Sequence, residues 1–378
     1  MKVPIHRRGS NEGDQVRKIY ALMISALITL AGCGSSNSSS DSGPSYSSGS
    51  TYDNNPPVAV STIAGSAGVA GSTDATGTNA LFGQPNGVIV SPDGTTLYVS
   101  DHGNNTIRMM VLSTGAVATI AGSAGTIGRT DAVGSAARFN GPHFITMDGS
   151  NLYVTDFNNN SIRRIVIATG AVTTLAGSTA GIAGAVDGTG TASRFNGPSG
   201  ITITPDGTIL YVADYNNNCI RKIAIATGDV TTMVTNARFS HPAGVICDGT
   251  GTNLYLTDFS ANKIYAIVIS SGAVSTLAGS TSYYGSGDGI GSAASFYNPN
   301  GIALLGSNLY VTESSNNLIR KILIATGAVT TVAGSARTTG SANGSGAAAG
   351  FYFPIGITTD GVNLYVGDSE NRTIRKIE

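Results

Sequence analysis

The most constraining feature of this chain is a short motif that occurs six times. Each copy reads Leu-Tyr-Val or Leu-Tyr-Leu, then one residue, then an acid, and its tyrosines are Tyr98, Tyr153, Tyr211, Tyr255, Tyr310 and Tyr365. Successive tyrosines are 55, 58, 44, 55 and 55 residues apart. A period near fifty residues is typical of a repeat protein, in which each repeat forms one unit of structure. It constrains the fold much more than the function.

The second repeat contains four apolar runs, each bounded by Gly, Asn or Asp. They are Phe144–Met147, Asn151–Asp156, Ser161–Ile167 and Ala171–Gly177. Such runs, rich in Val, Ile, Thr and Tyr, predict four antiparallel strands, which we call A to D in chain order. Strand B is apolar almost throughout, whereas strand C carries charges such as Arg163 that we place near an outer edge. A sheet that becomes more polar outward is typical of a propeller blade with strand A nearest the axis.

The two ends of the repeat region complete each other. The sixth repeat stops at strand C, and residues 57–66 match the strand D sequence of residues 171–178 almost residue for residue. The N-terminal strand therefore supplies the missing outer strand, because its absence would leave an exposed sheet edge. We predict an all-β fold: a six-bladed β-propeller of four-stranded antiparallel blades, with the ring closed by the N-terminal strand completing the last blade.

The repeated sequence resembles the NHL repeat. In the third copy the resemblance rests on Pro198-Ser199-Gly200-Ile201, Leu210-Tyr211-Val212-Ala213-Asp214 and Asn218-Cys219-Ile220-Arg221-Lys222-Ile223, and it extends over residues 57–378. Similar propellers serve as binding modules, sensor domains, RNA readers, amidating lyases and lactonase-like enzymes. The resemblance therefore implies the fold and leaves several functions open.

The N-terminal 56 residues predict export and an anchor. A basic segment precedes the apolar run Ile19–Leu30, which is too short to span a membrane. Leu30-Ala31-Gly32-Cys33 resembles a bacterial lipobox, so we predict a lipoprotein signal peptide over residues 1–32 and acylation of Cys33. The alternative is an ordinary signal peptide with a chance cysteine. Residues 33–56 are rich in Ser, Gly, Asn and Asp and predict a flexible tether to the bacterial outer membrane or cell surface.

Charge argues against a nucleic-acid partner. Residues 1–32 hold five of the 21 basic and two of the 22 acidic residues, which leaves 16 bases and 20 acids in the remainder. No basic patch is evident in the sequence.

The sequence also lacks a Gly-x-Ser-x-Gly elbow and a phosphate loop. We expect Cys219 and Cys247 to be buried thiols, because the strand assignment places them on opposite faces of the ring.

Several residues recur in every repeat, and we interpret them as scaffold. An acid follows strand B, where it can accept backbone N–H groups within the next turn. A phenylalanine precedes strand A, where we expect it to wedge between neighbouring blades. The acids are Asp101, Asp156, Asp214, Asp258, Glu313 and Asp368, and the phenylalanines are Phe82, Phe139, Phe195, Phe239, Phe296 and Phe351. The Asp-Gly segments between blades lack the spaced acids and closing Glu of a calcium loop.

We expect function where the repeats differ. His143 and Phe144 begin strand A of blade 2, where the other repeats carry a glycine in the position of Phe144, so we place both at the mouth of the central channel. His241 is a second departure. The third is a loop: residues 231–242 span 12 positions where residues 173–198 span 26, so 14 residues are missing and we predict a notch between blades 3 and 4.

Two further residue sets bear on the site. Arg138, Arg194 and Arg238 precede the wedge phenylalanine in blades 2, 3 and 4 only, and they gather positive charge on that side. Amidating lyases of similar fold use histidines around a metal. Here His102, His143 and His241 share a face, but we expect them to stay apart as isolated surface or turn histidines.

These features predict a lipid-anchored, extracytoplasmic binding or scaffold module without catalytic residues, cofactor or metal. The candidate ligand-binding residues are His143, Phe144, His241, Arg138, Arg194 and Arg238, and Cys33 is the candidate lipid attachment site. We expect a protein, carbohydrate or small anionic ligand as the partner, contact with the membrane only through the lipid, and a monomeric ring. The alternative is a metal-dependent lyase or lactonase-like enzyme with its site at the channel mouth.

Overall fold

A computed structural model of the protein describes residues 58–280 and 283–378. The predicted signal peptide, Cys33 and the tether lie outside these residues. The described chain forms six antiparallel sheets of four or five strands. Among the described residues, no helix has the length and apolarity needed to span a bilayer.

Each sheet is one blade, and its strands keep the order A to D. Blade 1 comprises Pro85–Val90, Thr96–Asp101, Thr106–Val111 and Ala116–Gly122; blade 2 comprises Pro142–Met147, Asn151–Asp156, Ser161–Val166 and Ala171–Gly177; blade 3 comprises Pro198–Ile203, Ile209–Asp214, Cys219–Ala224 and Asp229–Thr235. Blade 4 comprises Pro242–Cys247, Asn253–Asp258, Lys263–Val268 and Ala273–Ala278; blade 5 comprises Pro299–Leu305, Asn308–Glu313, Leu318–Leu323 and Ala328–Gly334; blade 6 comprises Pro354–Thr359, Leu364–Asp368, Thr373–Ile377 and Ala59–Ala64.

Short elements lie in the connections. Two-residue strands occur at Gly188–Thr189, Gly289–Ile290 and Gly344–Ser345, before blades 3, 5 and 6. Single 3-10 turns before strand A lie at Gly77–Asn79, Gly134–Ala136, Gly190–Ala192, Gly291–Ala293 and Gly346–Ala348. Those between strands B and C lie at His102–Asn104, Phe157–Asn159 and Tyr215–Asn217.

The ring closes as the sequence predicts. Ala59–Ala64 pairs antiparallel with Thr373–Ile377, and Val60 lies opposite Ile377. Strand A of every blade lines the central channel, which confirms its predicted place at the axis. Because the strands are antiparallel, the B–C turns and D–A loops lie on one face, which we call the mouth face. The A–B and C–D turns lie on the opposite face.

The core lies between neighbouring blades. One apolar cluster joins Tyr98 and Ile107 of blade 1 to Phe139, Ile145 and Leu152 of blade 2, and equivalent clusters recur around the ring. All six wedge phenylalanines are buried, as predicted. Adjacent A strands also approach closely: a Cβ on Gly87 would lie 2.4 Å from the carbonyl oxygen of His143, so this position requires glycine.

Five blades contain a buried ion network that we call the arginine clasp. In blade 2, Arg163 donates to Asp156 at the end of strand B (2.8 Å) and to Asp131 in the loop before strand A (2.6 Å). Its guanidinium lies 5.1 Å from the centre of the Phe139 ring. The other clasps centre on Arg108, Arg221, Arg320 and Arg375. The prediction that Arg163 lies near an outer edge is therefore wrong, since the side chain is fully buried.

The strand B acids also differ from the expectation in their partners. The Asp156 carboxylate accepts the backbone N–H of Asn140 (2.8 Å), which lies in the loop before strand A and not in the following turn. It also accepts the side-chain amide of Asn159 (2.7 Å), which does lie in that turn. Only Asp258 in blade 4 accepts a backbone N–H from within its own turn, that of Ala261 (3.0 Å). The acids therefore join the D–A loop to the blade as well as shape the turn.

Candidate functional site

The mouth face presents one residue per blade immediately after the strand B acid. Because this position is equivalent in every blade, its side chains form a ring around the channel mouth. It is aromatic or imidazole in blades 1 to 4 and serine in blades 5 and 6: His102, Phe157, Tyr215, Phe259, Ser314 and Ser369. The mouth therefore has an aromatic side and a hydroxyl side.

Ring contacts connect the aromatic side into a continuous belt. His143 lies 5.9 Å from His102 and 5.4 Å from Phe157, measured between ring centres. Tyr215 lies 6.1 Å from Phe157 and 4.6 Å from His241. Phe259 adds a further contact to Tyr215 at 6.2 Å. We call these six residues the aromatic belt, and its rings combine apolar faces with polar imidazole and phenol edges.

His143 occupies the inner wall of the belt. Its ring is buried, and Nδ1 lies 3.2 Å from the hydroxyl of Ser199 in the next blade. Burial lowers the pKa of His143 to about 3, and the neighbouring His102 contributes to the lowering. The imidazole is therefore neutral near pH 7 and presents a hydrogen-bonding edge without charge.

His102 is the second neutral imidazole of the belt. The His102 residue is partly exposed to solvent, and burial of its ring lowers the pKa of His102 to about 4. Its Nδ1 has no hydrogen-bond partner among the described residues. A buried ring nitrogen without a partner is one of the polar groups that a ligand or water can satisfy.

His241 adopts a backbone conformation that recurs around the ring. Its φ is 64°, in the left-handed region, and φ is also positive at the equivalent positions of blades 2, 3, 5 and 6, which are Gly141, Gly197, Asn298 and Phe353. Its N–H donates to the side chain of Asn218 (2.7 Å), and its Nδ1 lies 3.0 Å from the hydroxyl of Ser260. Burial lowers its pKa. Because this conformation recurs in five of the six blades, it belongs to the repeat and does not by itself mark a functional site.

The hydroxyl side of the mouth is already largely hydrogen-bonded. Ser369 donates to the side-chain oxygen of Asn86 (2.9 Å), and Ser314 donates to the carbonyl of Pro354 (2.9 Å). Asn300 donates to Ser314, but its own Oδ1 is buried without a partner among the described residues. Asn300 therefore leaves one acceptor on this side of the mouth.

The channel below the mouth is narrow. Its cavity has a volume of about 200 Å³ and is lined by all six A strands. Phe144 lines it and contacts His143 edge-on, with ring centres 4.9 Å apart. The prediction that these two residues begin strand A is confirmed, since both lie in Pro142–Met147.

The three predicted arginines lie in the loops before strand A. Arg138 donates to the carbonyls of Ser135 (2.6 Å) and Ala137 (2.7 Å), and Arg194 donates to that of Ser193 (2.8 Å). Arg238 is exposed. The three arginines thus lie in the D–A loops before blades 2, 3 and 4, whereas the histidines belong to the belt.

The expectation of isolated histidines is wrong for His102 and His143, which contact each other, while His241 joins them only through Tyr215 and Phe157. Within the described ranges, no group of three or more His, Cys, Asp or Glu side chains is arranged to hold a metal ion. Cys219 and Cys247 are free and buried, as predicted.

Sequence reasoning missed Phe157, Tyr215 and Phe259. All three directly follow a strand B acid that we interpreted as scaffold, so we assigned them to the same B–C turn. The signal that could have identified them is the change at that position from aromatic in blades 1 to 4 to serine in blades 5 and 6.

The six sheets define a β-propeller with six blades. The model of the NHL repeat matches residues 195–223, within blade 3. NHL repeat-containing protein 2 of Bos taurus is 34% identical over 160 residues, which cover 40% of this chain and 22% of that protein. This chain therefore matches only about a fifth of the length of that relative.

Solved structures share the architecture. An auxiliary nutrient binding protein from Bacteroides thetaiotaomicron has a TM-score of 0.67 at 17% identity, covering 85% of this chain and 76% of that chain. Virginiamycin B lyase from Staphylococcus aureus has a TM-score of 0.52 at 19% identity, covering 78% and 94% respectively. At these identities the likeness shows the fold alone.

Proposed function

We propose that this protein is a non-enzymatic binding module that takes a carbohydrate at the aromatic belt and is held outside the cytoplasm by a lipid on Cys33. The observation that carries the proposal is the belt itself. Half-buried rings of Phe157 and Tyr215 offer flat apolar surface, and the neutral imidazoles of His102 and His143 lie beside them. Sugars have apolar ring faces and peripheral hydroxyls, which this combination of surfaces fits.

Three arginines in the D–A loops of blades 2, 3 and 4 extend the proposal to acidic sugars. Arg138 and Arg194 each direct one guanidinium nitrogen to loop carbonyls, and exposed Arg238 has a backbone N–H bonded to Asn236. Cations on the same face as the aromatic belt would favour an anionic group on the ligand through charge and hydrogen bonding. A structural neighbour described as a nutrient binding protein is consistent with a binding role.

Binding to a panel of neutral and acidic oligosaccharides, followed by calorimetry, tests the proposal. We expect Tyr215→Ala to weaken the best binder at least tenfold, because it removes the ring between Phe157 and His241. Tyr283→Ala is the matched control, since it removes an exposed tyrosine outside the belt. Unchanged affinity in folded Tyr215→Ala, or no oligosaccharide binding by the wild type, would reject the carbohydrate site.

The anchor has a separate test. We expect Cys33→Ser, expressed in a bacterial host with its own signal, to lose lipid modification and to leave the membrane fraction. Mass spectrometry of the N-terminus and membrane fractionation measure the two effects. Membrane association of this variant with an unmodified N-terminus would contradict the lipid anchor while leaving the carbohydrate site untouched.

The lyase alternative lacks a supporting donor set. His102 and His143 bring two imidazoles together, but the described residues add no third His, Cys, Asp or Glu to form a metal-binding group. Metal analysis of the purified protein distinguishes the alternatives. One tightly bound divalent ion per chain, lost in His143→Ala, would favour the enzyme.

A further inference from the structure

The outer edge of each blade is strand D, whose backbone N–H and C=O groups face away from strand C. Unpaired edge groups of this kind are a template for pairing with another extended chain. In five blades the loop that enters the blade covers this edge. The covering contacts pair Thr76 with Ala116, Val133 with Ala171, Thr189 with Asp229, Ile290 with Ala328 and Ser345 with Ala59.

Blade 2 shows what the covering segment supplies. The N–H of Val172 donates to the carbonyl of Ala132 (2.8 Å), and the N–H of Thr174 donates to Asp131 (2.9 Å). At the C–D turn, the carbonyl of Gly170 accepts the N–H of Gly134 (2.9 Å). Three successive outward-facing groups of the edge are thereby satisfied. The covering residues are an acid followed by a small residue.

Blade 4 has the same edge without the cover. The loop before its strand A is the shortened one, residues 236–241, so it ends before it can reach Ala273–Ala278. Strand pairing places Val274 opposite Ile267 and Thr276 opposite Tyr265, the registers of Val172 and Thr174 in blade 2. Their N–H groups therefore face outward, and among the described residues neither these nor the carbonyl of Gly272 has a partner.

Burial distinguishes this edge from the other five. The valine in the position of Val274 is 1–5% exposed in the other blades, but Val274 is only half-buried. Thr276 is exposed. The strand sequence, Ala-Val-Ser-Thr-Leu-Ala, has no charge and no proline, which are the usual protections of a free edge.

We infer that strand D of blade 4 is a docking edge for an extended segment of a partner polypeptide, which adds as an antiparallel fifth strand. The partner's chemistry follows from the five covering segments of this chain. They read Asp74-Ala75, Asp131-Ala132, Asp187-Gly188, Asp288-Gly289 and Asn343-Gly344. A carboxylate or amide caps the threonine N–H and hydroxyl, and a small residue lets the two backbones approach.

A carboxylate on the partner would complement the two hydrogen-bond donors of Thr276. The N–H and hydroxyl of Thr174 both donate to Asp131, at 2.9 and 3.0 Å, and Thr276 presents the same two donors. A partner acid would therefore find two donors already positioned on a rigid strand. Backbone pairing supplies the affinity, and this cap supplies the preference for Asp or Asn at one position.

The test uses the full chain and a labelled peptide with the sequence of residues 184–191, which contains the covering segment of blade 3. We expect saturable one-to-one binding by fluorescence anisotropy, and none for the same peptide with proline at the position of Gly188, because proline disrupts strand pairing. By hydrogen exchange, the outward-facing amides of Val274 and Thr276 should exchange rapidly in the free protein and at least tenfold more slowly with peptide. Residues 171–176 should not change.

Two variants make the test specific to blade 4. Ser275→Lys places a charge on the free edge and should weaken peptide binding at least tenfold. Thr173→Lys makes the same change at the equivalent position of the covered blade 2 edge and should have no effect.

Three results would overturn the inference. One is the absence of saturable binding, and another is equal binding by Ser275→Lys. The third is slow exchange of the Val274 and Thr276 amides in the free protein, which would show that the edge is already covered. If sedimentation then reveals a dimer that Ser275→Lys dissociates, the cover is a second copy; otherwise it is another part of this chain.

Discussion

Blades 2 and 4 have the same four strands in the same register, yet they are held to the ring in different ways. Blade 2 has a buried arginine, a loop acid and a covered outer edge. Blade 4 has Tyr265 in place of the arginine, and its hydroxyl donates to the carbonyl of Arg238 (3.1 Å). The shortened loop leaves it without the acid and the cover. The comparison teaches that the arginine, its loop partner and the edge cover are all missing from blade 4, whereas blade 6 keeps its arginine with Asn343 in place of the loop acid.

The strand B acid of blade 4, Asp258, is affected by the missing arginine. Asp258 is fully buried and accepts N–H groups from Ser240 and Ala261, but none of the described arginines forms an ion pair with it. Burial raises its pKa from 3.8 to about 7, against the smaller lowering effects of its hydrogen bonds and Lys263. Blade 4 therefore contains a carboxyl group whose charge is costly at neutral pH.

The largest effect should come from removing an outer strand altogether. We expect deletion of residues 58–66 to cost more than about 5 kcal/mol, because it exposes the blade 6 edge and removes the buried Val60 and Ala64 side chains. Thermal unfolding with light scattering measures the loss and any aggregation. A truncated chain that melts like the intact protein would show that the closing strand is no more important than the uncovered edge of blade 4.

The second-largest effect compares the loss of the clasp arginine in blade 2 with the loss of the tyrosine hydroxyl that takes its place in blade 4. Arg163→Met should reduce the free energy of unfolding by about 3–5 kcal/mol, because it leaves the buried Asp156 without its charged partner. Tyr265→Phe, the matched change in blade 4, should cost only about 1 kcal/mol, because it removes one neutral hydrogen bond. Urea denaturation of both variants measures the difference. Equal losses would mean that the two blades are held equally.

The third effect is a pH dependence specific to blade 4. The folded pKa of Asp258 is above the ordinary value, so its contribution to stability is present below pH 4 and lost as pH rises through about 7. In Asp258→Asn we expect this loss, on the order of 3–4 kcal/mol between pH 4 and 8, to disappear. The measurement is the difference between the stability–pH curves of variant and wild type.

An exposed aspartate, Asp93, provides the control for this pH dependence. Asp93 is exposed, and its hydrogen bond to Ser91 is the main cause of its lowered pKa. Asp93→Asn should therefore leave the curve unchanged between pH 5 and 8. Parallel curves for the wild type and Asp258→Asn would contradict the assignment of the pH dependence to blade 4.

The smallest effect concerns the exposed end of the clasp. Asp131→Ala should cost about 1 kcal/mol, because the Asp131 side chain is 44% exposed and Arg163 keeps its bond to Asp156. Hydrogen exchange should nevertheless accelerate at residues 171–176, which would then resemble the blade 4 edge. A loss as large as that of Arg163→Met would show that the exposed and buried ends of the clasp are equally important.

The sequence predicted the fold well because the fold is repeated. Six copies of one motif reveal the blade, and the match between residues 57–66 and strand D reveals the closure. The buried position of Arg163 could not be read in the same way. Its partners lie 7 and 32 residues away, so a single charge in an alternating strand looked solvent-facing. Burial of that charge depends on a loop folding back over the blade.

The site was predictable only where one repeat departs from the others. Phe144 replaces a glycine that every other blade keeps, and it lines the channel. His143 and His241 occupy positions that differ from blade to blade, and both lie in the belt at the mouth. Phe157 and Tyr215 occupy a position that is aromatic or imidazole in blades 1 to 4 and serine in blades 5 and 6, so no single repeat departs from the others there. Their proximity arises because equivalent positions of adjacent blades meet at the axis, which no local pattern reveals.

The closing strand also governs the order of folding. Ala59–Ala64 forms its sheet with Thr373–Ile377, about 300 residues later in the chain. Contacts of such large sequence separation form slowly, because the chain between them must first be ordered. During synthesis the N-terminal strand therefore remains an unpaired, aggregation-prone segment while the first five blades assemble beside it. Completion of the ring is a late kinetic event, and until it occurs blade 6 has only three of its strands.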